Sequence, residues 1–167
     1  MTESALDFLP TAGAYERFRI LTTYRTIAMV GLSTDPMRPS HFAAIYMLAE
    51  GYDVIPVNPR YAGREILGQP VYAALEEIPR QRSVEIVDVF RKPEDIPPIA
   101  ESAIRIGAKV LWLQLGIRSE EAGRIAREGG LEFVQDRCVK IEHARFFGGL
   151  NLVGMNTGVL TSRRYVG

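Results

Sequence analysis

The chain has 167 residues, 47% of them apolar and 24% charged, which is the composition of one ordinary globular domain able to bury a substantial core. Its 20 Lys and Arg balance 20 Asp and Glu, so there is no basic excess of the kind that nucleic acid or anionic membrane surfaces require. A single cysteine, Cys138, excludes an internal disulfide framework and fits a reducing cytoplasm.

Residues 1–10 carry Glu3 and Asp7 and no basic cluster, so no secretory signal is expected there. Residues 13–24 read as an amphipathic helix with Tyr15, Phe18, Ile20 and Leu21 as its packing side chains. Short apolar runs rich in β-branched residues follow at 27–30, 54–57, 86–90, 110–115 and 131–134. They are too short for helices and fit buried parallel strands, and none reaches the ~18 residues of a membrane span. Between them lie helical stretches: 40–50, capped by Ser40 and stopped at Gly51; 93–106, with Glu94 and Asp95 in its first turn; and 119–128, opened by Ser-Glu-Glu and stopped by Gly129-Gly130. Strands alternating with helices predict an α/β fold, a single doubly wound, Rossmann-like parallel sheet with helices on both faces. Residues 146–167 are glycine-rich and apolar without a clear period.

The first strand runs into Val30-Gly31-Leu32-Ser33-Thr34-Asp35-Pro36-Met37-Arg38-Pro39-Ser40. A loop between a buried strand and a helix start offers free N–H groups and a positive dipole end, which together suit a phosphate. Ser33, Thr34 and Ser40 add hydroxyls, and Arg38 adds a charged fork. The bland alternative is a plain strand-to-helix turn. The dinucleotide pattern G-x-G-x-x-G is absent, since Gly31 stands alone and Pro36 and Pro39 occupy the loop. The second strand ends Val57-Asn58-Pro59-Arg60, where an NAD site needs a carboxylate for the ribose 2′-hydroxyl. Asn58 suits ribose or adenine and Arg60 an extra phosphate, so NADP and coenzyme A both qualify.

Several motifs occur in order: GLSTDPMRPS at 31–40, GYDVIPVNP at 51–59, GREILGQP at 63–70, VDVFRKP at 87–93, KVLWLQLG at 109–116 and DRC at 136–138. Together they resemble the stand-alone CoA-binding domain proteins, which are similar to the N-terminal CoA-binding domain of the succinyl-CoA synthetase α-subunit. The resemblance covers roughly residues 15–145. It implies that Gly31, Leu32, Ser33 and Thr34, with Arg38 and Ser40, receive the pyrophosphate of coenzyme A or an acyl-CoA. Val57, Asn58 and Arg60 then lie beside the adenosine and its 3′-phosphate, while Phe90, Arg91, Lys92 and Pro93 border the adenine and pantetheine path. Gln114 and Gly116 lie further along, with Cys138 near the thiol end. Where the synthetase has a lysine-containing Pro-Gly-Lys-Gly-Gly turn, this chain has Pro59-Arg60-Tyr61-Ala62-Gly63, so a phosphate contact there falls to Arg60.

On this reading residues 1–24 are a helical segment packing on the domain, 25–145 the CoA-binding domain and 146–167 a tail. The synthetase's phosphorylated histidine belongs to a further domain outside the region of resemblance. His41, at a helix start, reads as a core or loop-contact residue, and His143, beside Glu142, as solvated. No nucleophile–base–orienter set and no metal spacing is visible. The expectation is a cytoplasmic binding module for a small molecule, with no nucleic acid or membrane partner, able to form homo-oligomers. The alternatives are an NADP-dependent oxidoreductase or a CoA-ligase-like component acting with a partner chain. For Cys138, flanking Arg137 and Lys140 would favour a thiolate able to pair with a CoA thiol; the plainer reading, a small buried hydrophobe, outweighs it.

Overall fold

A computed structural model of the protein describes residues 12–148. In chain order, helix α1 (Ala14–Thr23) leads into strand β1 (Thr26–Val30), followed by α2 (Pro39–Ala49) and β2 (Asp53–Val57). A small hairpin of β3 (Glu65–Ile66) and β4 (Gln69–Pro70) precedes β5 (Ile86–Val89) and α3 (Ile96–Arg105). Then come β6 (Val110–Leu113), α4 (Glu120–Glu128), β7 (Glu132–Val134) and α5 (Val139–Phe147).

The five main strands lie in the order β2-β1-β5-β6-β7, and every neighbouring pair is parallel. Alternate residues of each strand face opposite sides, as the pleat demands. Ala28, Val87 and Leu111 pack against Ile96 and Ala100 of α3 and Ala122 and Ala126 of α4. Met29, Ile86 and Trp112 face Ile20 of α1, Met47 of α2 and Val139 of α5. Both faces are therefore covered, and the fold is a Rossmann-like α/β sheet. Among the described residues no helix is long and apolar enough to cross a membrane.

Connectivity places the site. The chain runs from β1 to its neighbour β2, then crosses to β5 on the other side of β1. Loops leaving the carboxyl ends of β1 and β5 diverge there, and the resulting crevice is where open α/β sheets seat their ligands.

Several boundaries differ from the sequence reading. Ser40 is not the cap of α2: Arg38 holds that position in extended geometry and Pro39 opens the helix, where its missing N–H costs nothing. Pro93 begins a short 3-10 turn, and α3 proper starts at Ile96. Ser119 does cap α4, accepting a hydrogen bond from the Ala122 N–H at 3.1 Å. In α1, Ile20 and Leu21 are buried but Tyr15 is exposed, and Arg17 is buried in its place.

The largest correction is α5, which the sequence reading left as a polar segment. Glu142 and His143 are buried, not solvated. Glu142 accepts a hydrogen bond from the Arg17 guanidinium at 2.7 Å, and His143 Nδ1 lies 2.9 Å from the Tyr46 hydroxyl. Phe146, placed with the tail by the sequence reading, closes the last turn of α5 and meets the Phe18 ring edge-on. The rest of that tail, from residue 149, lies outside the described residues.

Candidate functional site

A groove of about 1080 Å³ opens above the carboxyl ends of the strands, large enough for a sizeable ligand. The loop after β1 forms one wall, the end of β2 another, and the start of α5 the far end.

Gly31 begins the first wall. It adopts φ +90°, and a Cβ there would stand 2.8 Å from the Phe90 carbonyl oxygen. Glycine thus lets the β1 and β5 exits approach each other at the switch point. Beyond it the loop is held by its own side chains. Ser40 Oγ accepts from the Ser33 N–H at 3.1 Å, Ser33 Oγ from the Asp35 N–H at 3.0 Å, and Asp35 Oδ1 from the Met37 N–H at 2.9 Å. His41 Nδ1 sits 2.9 Å from the Ser33 carbonyl, the loop contact expected of it.

Asn58 locks the second wall to the first. Its Nδ2 donates to the Leu32 carbonyl at 3.1 Å, and its Oδ1 accepts from the Arg60 N–H at 3.0 Å. One amide hydrogen and one lone pair stay free for a ligand. Arg60 and Tyr61 follow at the groove edge, the guanidinium lying 5.6 Å from the ring centre. A hydrogen bond with Thr34 holds the Tyr61 phenol below its ordinary range, helped by Arg60, Ser33 and Arg64.

Of the sequence-predicted residues, Gly31, Ser33, Arg38, Ser40, Asn58 and Arg60 line the groove, as do Phe90, Arg91, Gln114 and Cys138. The side chains of Leu32 and Val57 are buried in the core beneath it. Val57 contributes its carbonyl, which accepts from the Gly31 N–H at 2.8 Å. Thr34 stands behind Tyr61. Lys92 and Pro93 are exposed outside the groove, and the Gly116 N–H is turned to Asp136 Oδ1 at 2.7 Å.

Sequence reasoning missed Lys140 and Ile141, which reach the groove from α5, together with the apolar wall of Met37, Phe42 and Leu115. Lys140 Nζ lies 5.9 Å above the Phe42 ring. It also missed Asp88, although a lone carboxylate inside the apolar strand Ile86–Val89 was a readable signal. Asp88 is fully buried and accepts a short hydrogen bond from Gln114 Nε2. Burial, partly offset by that bond, raises its carboxyl to about 8. The basic neighbours of Cys138 do not activate it: burial pushes the thiol up, backbone N–H groups of Ile141 and Lys140 oppose this, and Asp88 adds to it.

The electrostatics of the groove differ from those of the chain. Arg38, Arg60, Arg91 and Lys140 line it against one carboxylate, Asp35, in a molecule of zero net charge. Clustered cations at a switch-point crevice fit a multiply anionic nucleotide. Among the described residues no group of three or more His, Cys, Asp or Glu side chains is placed to hold a metal.

The family model of the CoA binding domain matches residues 25–144. The chain belongs to the CoA-binding domain family. It is 40% identical over 125 residues to the uncharacterized protein YneT of Bacillus subtilis, a match spanning 75% of this chain and 90% of that one. A hypothetical protein of Pyrococcus horikoshii is 40% identical in structural superposition, with a TM-score of 0.77 over 86% of this chain and 96% of its own. A dinucleotide-forming acetyl-coenzyme A synthetase of Candidatus Korarchaeum cryptofilum shares the fold at 20% identity and a TM-score of 0.59; 70% of this chain matches 26% of that longer one.

Proposed function

We propose that this family member is a cytoplasmic coenzyme A- or acyl-CoA-binding protein without complete catalytic machinery of its own. The observation that carries the reading is the set of four cations gathered on a switch-point groove where Gly31 lets the β1 and β5 exits meet. The pyrophosphate lies over the loop at 31–34, with Arg38 and Ser40 beside it. Asn58 and Arg60 meet the adenosine and its 3′-phosphate, the charge that separates coenzyme A from NAD. Phe90 and Arg91 border the pantetheine arm, which runs past Gln114 toward Cys138. Lys92, Pro93 and Gly116 are given no contact on this reading, because none of them lines the groove.

Calorimetric titration with CoA, acetyl-CoA, dephospho-CoA, NADP and NAD tests it. The expected result is saturable binding of CoA and acetyl-CoA, with dephospho-CoA and both dinucleotides weaker. A charged hydrogen bond contributes roughly 1.5–3 kcal/mol, so Arg60→Ala weakens CoA binding about tenfold or more and leaves dephospho-CoA nearly unchanged. Preferential binding of NADP replaces this reading with an oxidoreductase. Equal affinity for CoA and dephospho-CoA removes the role given to Arg60.

A further inference from the structure

Asp88, Trp112 and Gln114 point to one face of the sheet, since Asp88 is paired with Trp112 and Gln114 stands two residues beyond on the neighbouring strand's exit. Gln114 Nε2 donates inward to Asp88 Oδ1, while Gln114 itself lines the groove. The other carboxamide atom, Oε1, belongs to this groove-lining side chain and is not among the sealed, unpartnered polar atoms. Asp88 Oδ2 is among them: it is buried and has no hydrogen-bond partner among the described residues. An unpartnered oxygen on a fully buried carboxyl is costly if ionised and is a donor in search of an acceptor if protonated.

A carboxamide has nearly the same shape either way round, so the end it presents is decided by its partner. We propose that Asp88 is a positioning residue, its proton selecting which end of the Gln114 carboxamide meets the ligand. As a neutral acid, Asp88 donates its O–H to Gln114 Oε1 and turns the NH2 group into the groove, where it donates to a carbonyl oxygen on the ligand's pantetheine or acyl end. As a carboxylate, it takes the Nε2–H and leaves Oε1 facing that carbonyl, a repulsive pairing. This inference rests on the CoA reading for the identity of the ligand, but not for the Asp88–Gln114 exchange itself.

The midpoint near 8 places the exchange just above neutrality. Met29 and Trp112 flank Asp88 on the adjoining strands and carry no charge. The titratable group that interacts with Asp88 is the Cys138 thiol at the N-cap of α5. Arg91 and Lys140 are the nearby groove cations, and Tyr61 titrates on the opposite wall.

The test pairs two measurements on the full chain. The first follows the Gln114 side-chain amide and the Asp88 carboxyl carbon by NMR in ligand-free protein between pH 6 and 9.5. The second is the affinity for acetyl-CoA, which has no free thiol, over the same range in a Cys138→Ser background. The inference expects both NMR signals to titrate together with a midpoint near 8. One hydrogen bond gained or lost changes affinity by about twofold to tenfold, so acetyl-CoA binding weakens by that factor on raising the pH. Asp88→Asn and Gln114→Met each remove this pH dependence. A Gln114 amide that ignores Asp88, or an affinity whose pH dependence survives in both variants or has the opposite sign, overturns the inference even though CoA binds. Co-titration of the pair with no CoA binding at any pH supports the exchange and overturns the CoA reading instead.

Discussion

Gly31 and Asp88 do the most for the groove as single residues, one by having no side chain and the other by burying a charged type. At Gly31 the backbone sits at φ +90°, and an added methyl meets the Phe90 carbonyl at 2.8 Å. Gly31→Ala is expected to cost about 1–3 kcal/mol in urea unfolding, because a strained backbone and a backbone clash fall at one position. Asp88 carries a pH signature. Its carboxyl is raised from an ordinary 3.8 to about 8, so between those values the folded chain holds a proton that the unfolded chain has released. Its contribution is therefore fully present below 3.8 and lost as pH rises to about 8. Asp88→Asn is expected to flatten that slope and to exceed the parent's stability at pH 8 by roughly 1–3 kcal/mol, the cost of an uncompensated buried polar group. Unfolding curves at pH 5, 6.5 and 8 for both chains check this.

At the scale of elements, α5 decides how the molecule closes. It supplies Lys140 and Ile141 to the groove, with Cys138 at its N-cap, and packs on α1. Arg17 and Glu142 join those helices at 2.7 Å, with side chains only 6% and 0% exposed. Losing Arg17 removes the hydrogen bond to Glu142 Oε2 but leaves the Arg137 and Arg145 guanidiniums within 4.0 Å of Oε1, so Arg17→Met is expected to destabilise by about 1.5–3 kcal/mol, the worth of one charged hydrogen bond. Joint replacement with Glu142→Gln is expected to recover part of that loss, as a double-mutant cycle in urea measures. The same helix explains the limit of the sequence reading. Apolar runs such as Ile27–Val30 announced the strands because burial on both faces leaves only one composition. In α5 the buried positions include Glu142 and His143 beside Val139 and Phe146, and those two look solvent-facing until Arg17 and Tyr46 arrive from elsewhere in the chain. The loop after β1 was legible as one wall of the groove because its residues are contiguous. The groove's far wall was not, because Lys140 and Phe42 meet only in the fold.

Across the whole molecule, charge is balanced overall and segregated locally. Twenty acidic side chains offset twenty basic ones, yet the groove holds four cations and one carboxylate. That asymmetry sits at the one place where the β2-β1-β5 order reverses the direction of winding, so topology and electrostatics select the same crevice. The central claim is that coenzyme A occupies it. Adding CoA to isotope-labelled protein and following backbone amide shifts tests that claim most directly. The account predicts saturable shifts concentrated at Gly31, Ser33, Asn58, Arg60 and Phe90, extending to Gln114 and Cys138. Shifts confined to another surface, or none at saturating CoA, would contradict it.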